Sequence, residues 1–182
     1  MTQQRRSLRR RAAAADDTEG TYGRALRLLA RRPLSEAELR AGLAARGAGE
    51  SRIAATIQRL RRARYVDDYG LAVDYLLTRS TRKRHGPLRL LRELERRGVP
   101  AATARRAWET VLREHGIDPT DLLQREVQRR VERAGEAVDL RLLHRIYNAM
   151  IRAGHEAHQV RSVLEPHFAR VGCSAPDEET QT

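Results

Sequence analysis

The sequence predicts an all-α protein, an elongated, solenoid-like array of three tandem three-helix repeats with disordered ends. Three observations carry that expectation. No window alternates apolar and polar residues as a half-buried strand does, and β-branched residues are sparse. Apolar residues instead recur at helical spacing. The chain also repeats itself around Gly47, Gly98 and Gly154, which lie 51 and 56 residues apart. Four residues before these glycines stand Leu43, Leu94 and Met150, and eight before stand Leu39, Leu90 and Ile146. Six after come Ile53, Ala104 and Val160, and ten after come Ile57, Trp108 and Leu164. Apolar positions spaced by four on both sides of a glycine describe two amphipathic helices joined at a left-handed stop. The distance between glycines leaves room for one more helix upstream in each unit.

In the first unit (residues 21–65), Tyr22, Ala25, Leu28 and Leu29 share a face. Arg32-Pro33 closes that helix, because a residue before proline disfavours helical geometry. Leu34 to Leu39 opens the next one with a capping box, Ser35 with Glu38, and a hydrophobic staple between Leu34 and Leu39. In the second unit (66–113), Asp67 or Asp68 caps a helix carrying Leu71, Ala72, Tyr75 and Leu76. Gly70 lies inside this helix and weakens it by up to about 1 kcal/mol relative to alanine. The following helix is written in full between Gly86 and Val99. Gly86 suits the N-cap, Pro87 the first helical position and Gly98 the stop. Leu90, Leu91 and Leu94 form its apolar stripe, and Arg89, Arg92 and Arg96 a basic stripe turned away from it. Arg89 with Glu93, and Glu93 with Arg97, are spaced as i,i+4 ion pairs. In the third unit (118–168), Thr120 or Asp121 caps a helix with Leu123, Val127 and Val131. Units of about 45 residues are too small for large independent cores, so neighbours must pack together or the array hinges. Residues 1–20, a basic tail, and 173–182 are polar and aperiodic and are expected to be disordered.

The formal net charge is +12, and its placement matters more than its size. Residues 1–11 contain five arginines, and residues 79–106 contain ten basic against two acidic side chains. An excess confined to two segments is an electrostatic footprint for an anionic partner. Arg79, Arg82, Lys83, Arg84, Arg89, Arg92 and Arg96 are the expected contact residues on charge and helical phase, with a structural ion pair as the alternative role for Arg79.

Other classes are disfavoured. Cys173 is the single cysteine, which agrees with a reducing cytoplasm. No apolar run approaches the roughly 18 residues of a membrane span, and no signal peptide is visible. Neither a phosphate-cradling glycine loop nor HExxH is present. His155 and His158, with His167 and Cys173 downstream, do not follow a zinc spacing, and the first two read as partly exposed residues at a helix start. Ser35, Ser80 and the carboxylates show no catalytic arrangement. Trp108 and Tyr75 read as packed aromatics. The chain is expected to be neither an enzyme nor a cofactor or metal binder.

Asp67-Asp68-Tyr69-Gly70-Leu71-Ala72-Val73-Asp74-Tyr75, then Arg79, then Gly86-Pro87-Leu88-Arg89-Leu90, Glu93-Leu94 and Gly98-Val99, resembles the signature of the RecX family. Ala25 to Leu29 and Ser35 to Arg40 fit in the first unit, and Ile146-Tyr147, Gly154 and Val163-Leu164 fit in the third. Leu71 stands where an aromatic is usual, Pro100 where a capping serine is common, and Arg97 where lysine is usual. The resemblance covers roughly residues 22–167. It implies a bacterial cytoplasmic monomer built from three three-helix repeats that negatively regulates the RecA recombinase. Such proteins bind RecA filaments on DNA along the helical groove and inhibit ATPase, strand-exchange and LexA-coprotease activity. Many also bind single- or double-stranded DNA. The alternatives are a helix-turn-helix-like DNA-binding protein acting without RecA, and a solenoid scaffold that binds only protein. The exposed face of the Gly86–Val99 helix is nearly all arginine and glutamate, without the Asn and Gln of a base-reading helix.

Overall fold

A computed structural model describes residues 20–135 and 137–172, the side chain of Lys83 excepted. Among the described residues there are nine helices and no strand. They are α1 (residues 20–29), α2 (Glu36–Ala44), α3 (Glu50–Arg62), α4 (Asp68–Lys83), α5 (Pro87–Arg96), α6 (Ala101–Glu114), α7 (Pro119–Ala134), α8 (Leu140–Ala153) and α9 (Ala157–Arg170). The expected tails, residues 1–20 and 173–182, lie outside the described residues apart from Gly20, which stands at the described start of α1.

Local chemistry sets the helix ends. Ser35 Oγ accepts from Glu38 N at 3.0 Å and the Glu38 carboxylate accepts from Ser35 N at 2.9 Å, the reciprocal cap expected for α2. Asp67 caps α4 by accepting from Tyr69 N at 3.0 Å. α7 begins earlier than expected. Its cap is Asp118, accepting from Thr120 N at 2.8 Å, and neither Thr120 nor Asp121 caps it. Pro119 explains the shift, since its fixed φ and missing N–H suit the first helical position.

The Schellman turn recurs in every repeat. Ala48 N, Val99 N and His155 N donate to Leu43 O, Leu94 O and Met150 O at 3.2, 3.0 and 3.1 Å. Gly47, Gly98 and Gly154 hold φ of +80°, +80° and +90° at these turns, which the bulk of a side chain disfavours.

Gly70 has a local reason. A Cβ there would lie 2.8 Å from Asp67 Oδ2, an oxygen of the capping carboxylate. Alanine's propensity gain of about 1 kcal/mol is opposed by disturbing a cap worth about the same. Gly70→Ala is therefore expected to move the urea midpoint little, whereas a gain of about 1 kcal/mol would show that the cap accommodates the methyl.

Each helix triplet buries its own cluster. Ala25, Leu39, Leu43, Ile53, Ile57 and Leu60 are at most 2% exposed in the first, which also takes in Leu34 and Val66. Ala72, Leu76, Leu90, Leu94, Val99, Ala104, Ala107 and Val111 form the second. Leu123, Val127, Leu143, Ile146, Tyr147, Met150, Val160, Leu164 and Phe168 form the third. Trp108 and Tyr75 pack against the second cluster.

Between triplets, the middle helices meet end to end. At the α2/α5 junction, Ser35 Oγ donates to Arg97 O, Arg97 Nη2 reaches Glu38 Oε2 at 2.9 Å and Pro33 O at 3.0 Å, and Glu36 N donates to Asp68 Oδ1 at 2.8 Å. Arg97 thus bridges repeats and does not form the i,i+4 pair with Glu93 that its spacing suggested. At the α5/α8 junction, Gly86 N donates to Ala153 O at 2.8 Å and Leu88 N to Gly154 O at 3.1 Å. Orphan N–H groups of one helix start therefore satisfy orphan carbonyls of the next repeat's helix end, with partial charges that attract.

Candidate polyanion-binding interface

The α5/α8 junction lays the basic stripe of α5 beside the end of α8. Gly86 and Gly154 make this possible: a Cβ on Gly86 would lie 2.3 Å from Gly154 O, and one on Gly154 would lie 2.3 Å from Arg89 Cβ. A cleft of about 860 Å³ results, lined by Arg89, Arg92, Arg96 and Arg152 with Glu93, Glu95, Ile151 and Gly154. A second cavity of about 370 Å³ shares Arg89 and Arg152 with it and adds Arg82, Arg84, Arg129, Arg130 and Glu126.

Glu126 is the hub of the second cavity. Its side chain is 4% exposed and meets Arg84 Nη1 at 3.1 Å, Arg129 Nη2 at 2.8 Å and Arg130 Nε at 2.7 Å. Burial alone would raise this carboxyl, but hydrogen bonds and charge from Arg129 and Arg130 hold it below the ordinary carboxylate value. Glu93 repeats the pattern in the first cleft. Burial pushes it up, and hydrogen bonds donated by the Tyr75 hydroxyl and by Arg89 Nε (2.8 Å) outweigh that and lower it. Arg84, Arg89, Arg129 and Arg130 are thus each tied to a carboxylate, although Glu126 and Glu93 offset only two of their four charges. Among the described residues, Arg82, Arg92, Arg96 and Arg152 have no carboxylate partner, and all four are exposed. Within these two cavities they are the cations with no carboxylate to compete with an external anion.

The predicted residues divide accordingly. Arg82, Arg84, Arg89, Arg92 and Arg96 line the two cavities. Arg79 stands apart, its guanidinium 5.3 Å from the centre of the Tyr75 ring, in a groove shared with Asp74, Glu38 and Arg97. The side chain of Lys83 lies outside the described residues. The repeat glycines Gly98 and Gly154 sit at junctions, while Gly47 has open space around it.

His155 departs from expectation. It is 5% exposed, not partly exposed, with Nε2 3.4 Å from Arg84 O at the junction of the second and third repeats. Burial lowers its pKa below the ordinary histidine value. His158 is exposed, 3.4 Å from the Glu156 carboxylate, and Cys173 lies outside the described residues. Among the described residues, no group of three or more His, Cys, Asp or Glu is placed to hold a metal, and no helix is long and apolar enough to cross a membrane.

Arg152 and the Glu126 hub were missed because they lie well beyond the basic segment in sequence. For Arg152 a signal existed. It stands two residues before Gly154, as Arg96 stands two before Gly98, so the repeat alignment makes them equivalent.

Comparison with known proteins adds the family. "RecX, first three-helix domain" matches residues 22–60. The Regulatory protein RecX of Thermus thermophilus is 39% identical over 110 residues, covering 60% of this chain and 72% of that protein. This chain belongs to the RecX family. The Regulatory protein RecX of Geobacillus kaustophilus is 33% identical over 151 residues, or 82% of this chain. The match spans only 55% of that longer RecX. The crystal structure of RecX from Lactobacillus salivarius shares the fold with a TM-score of 0.72 at 17% identity, covering 84% of this chain and 97% of that one. The all-α array of three-helix repeats is thus the RecX fold.

Proposed function

We propose that this chain negatively regulates the RecA recombinase by binding RecA–DNA filaments along the helical groove, thereby inhibiting ATPase, strand-exchange and coprotease activity. RecX membership is the observation that carries the reading. The cleft between the second and third repeats supports it, because it collects unpaired arginines from both repeats on one surface. An array of linked repeats can touch neighbouring subunits of a polymer, and linking weak contacts yields avidity. The chain does this as a cytoplasmic monomer, without cofactor and without catalysis of its own. Arg92, Arg96 and Arg152 face DNA phosphate or acidic filament surface.

RecA's single-stranded-DNA-dependent ATP hydrolysis and strand exchange test the reading. Inhibition is expected well below one chain per RecA subunit. The triple variant R92A/R96A/R152A is expected to weaken filament binding and to lower the slope of log affinity against log salt by about two to three. Absence of inhibition, together with tight sequence-selective duplex binding, would favour the helix-turn-helix-like alternative instead.

A further inference from the structure

We propose that the corner after α3, built from Arg61, Arg62, Arg64 and Tyr65, is a second nucleic-acid contact that takes an unpaired base on the Tyr65 ring and its phosphates on the arginines. It lies in the first repeat, outside the cleft described above, and stands whether or not that cleft engages RecA.

The first observation is backbone conformation. Arg64 holds φ +57° in a Schellman turn, with Tyr65 N donating to Leu60 O at 2.9 Å. The equivalent positions after α6 and α9 are Gly116 and Gly172, with φ of +60° and +74°. An arginine there is disfavoured where glycine would be free of strain. Strain of this kind clusters at functional sites, and Arg84, with φ +55°, is the other non-glycine described residue that carries it.

The second observation is the ring itself. Tyr65 is 58% exposed, the most exposed large hydrophobic side chain described. The residue at the equivalent position after α6, Ile117, is half-buried and packs against the second cluster. Val66 is buried beside Tyr65 and supplies the packing, so the fold does not need the ring. The other four tyrosines are engaged: Tyr22 by Arg59 at 3.9 Å, Tyr69 by Arg106 at 4.7 Å, Tyr75 through its hydroxyl to Glu93, and Tyr147 by burial. Among the described residues, no cation or ring covers Tyr65.

The third is charge. Arg62 and Arg64 are exposed with no carboxylate partner among the described residues, and Arg61 is 65% exposed and 3.5 Å from Glu36. The adjacent carboxylates are occupied, Asp67 accepting from Tyr69 N and Asp68 from Glu36 N. A free aromatic face among arginines is the chemistry that holds single strands with little sequence preference. An acidic protein surface would engage the arginines but leave the ring idle, and a duplex hides its base faces.

The test is fluorescence anisotropy of the full chain with a labelled oligo-dT. Tyr65→Ala is expected to lower single-strand affinity about tenfold, while Tyr65→Phe retains it and duplex affinity changes little. Arg64→Gly is expected to weaken binding and to lower the salt slope by about one, while relief of strain raises Tm by about 3 °C. Stability rising as affinity falls is an outcome that a purely structural arginine cannot produce. The proposal is overturned if Tyr65→Ala binds oligo-dT like the wild type, if Tyr65→Phe loses as much as Tyr65→Ala, or if Arg64→Gly lowers Tm without changing the salt slope. Loss confined to binding of an acidic protein would equally overturn it.

Discussion

Gly154→Ala is expected to destabilise the protein by about 3 kcal/mol or more. The left-handed backbone at φ +90° costs a residue with a side chain about 1–2 kcal/mol. The new methyl would also lie 2.3 Å from Arg89 Cβ and 2.5 Å from Arg89 N, so the second and third repeats must separate. Separation breaks the bonds from Gly86 N and Leu88 N to the end of α8, each worth about 1 kcal/mol. Gly98→Ala meets the same obstacle, since its methyl would lie 2.3 Å from Ala37 Cβ. Gly47→Ala is the internal control: φ is again +80°, but nothing stands within 4 Å. It should cost only the conformational part, about 1–2 kcal/mol. Urea denaturation of the three variants orders them. If Gly154→Ala proves no worse than Gly47→Ala, the junction contacts contribute nothing to stability.

Glu126→Ala is expected to lower stability and raise affinity for nucleic acid together. Removing one partner from a buried ion pair commonly costs about 3–5 kcal/mol, because a charge is left dry. Here the three arginines are 46%, 39% and 42% exposed and regain water, which reduces the expected loss to about 2 kcal/mol. The same change frees Arg84, Arg129 and Arg130 beside the cleft, so single-strand and duplex affinity should both rise at low salt. The loss is also pH-dependent. Glu126 has a folded pKa below the ordinary 4.5, so its contribution is complete above that value and disappears as pH falls through the lower folded one. Glu38, lowered by Arg97 against its burial, acts in the same direction at the other junction. Asp68, raised by burial, has the opposite sign and favours the fold as pH falls through its range. Thermal melts of wild type and Glu126→Ala from neutral pH to about pH 3 should therefore converge in acid. A gap that persists undiminished in acid would assign the loss to packing.

How much was legible before the structure follows from which contacts are local. The capping box at Ser35, the Gly86-Pro87 start and the three glycine stops involve atoms within a turn of each other, so residue order specifies them. The start of α7 was misplaced by local competition, Asp118 and Thr120 both being good caps until Pro119 settles the choice. Arg97 was misread because its i,i+4 partner Glu93 is already held by Tyr75 and Arg89, while Glu38 of another repeat lies within reach. His155 was misread because burial at a junction leaves no periodic trace.

The sequence by itself determined the helices, their grouping in threes, the family signature and the basic stripe of α5, because helical periodicity and capping are short-range. The Arg89–Glu93 pair was legible as well, and the tertiary structure alone decided what stands beside the rest of that stripe. It brings Arg84 of the second repeat onto Glu126 of the third, and the meeting of α5 with α8 adds Arg152 to the arginines without a carboxylate partner. Availability of a charge depends on what other repeats place within a few ångströms of it, and that is set by how helix ends dock.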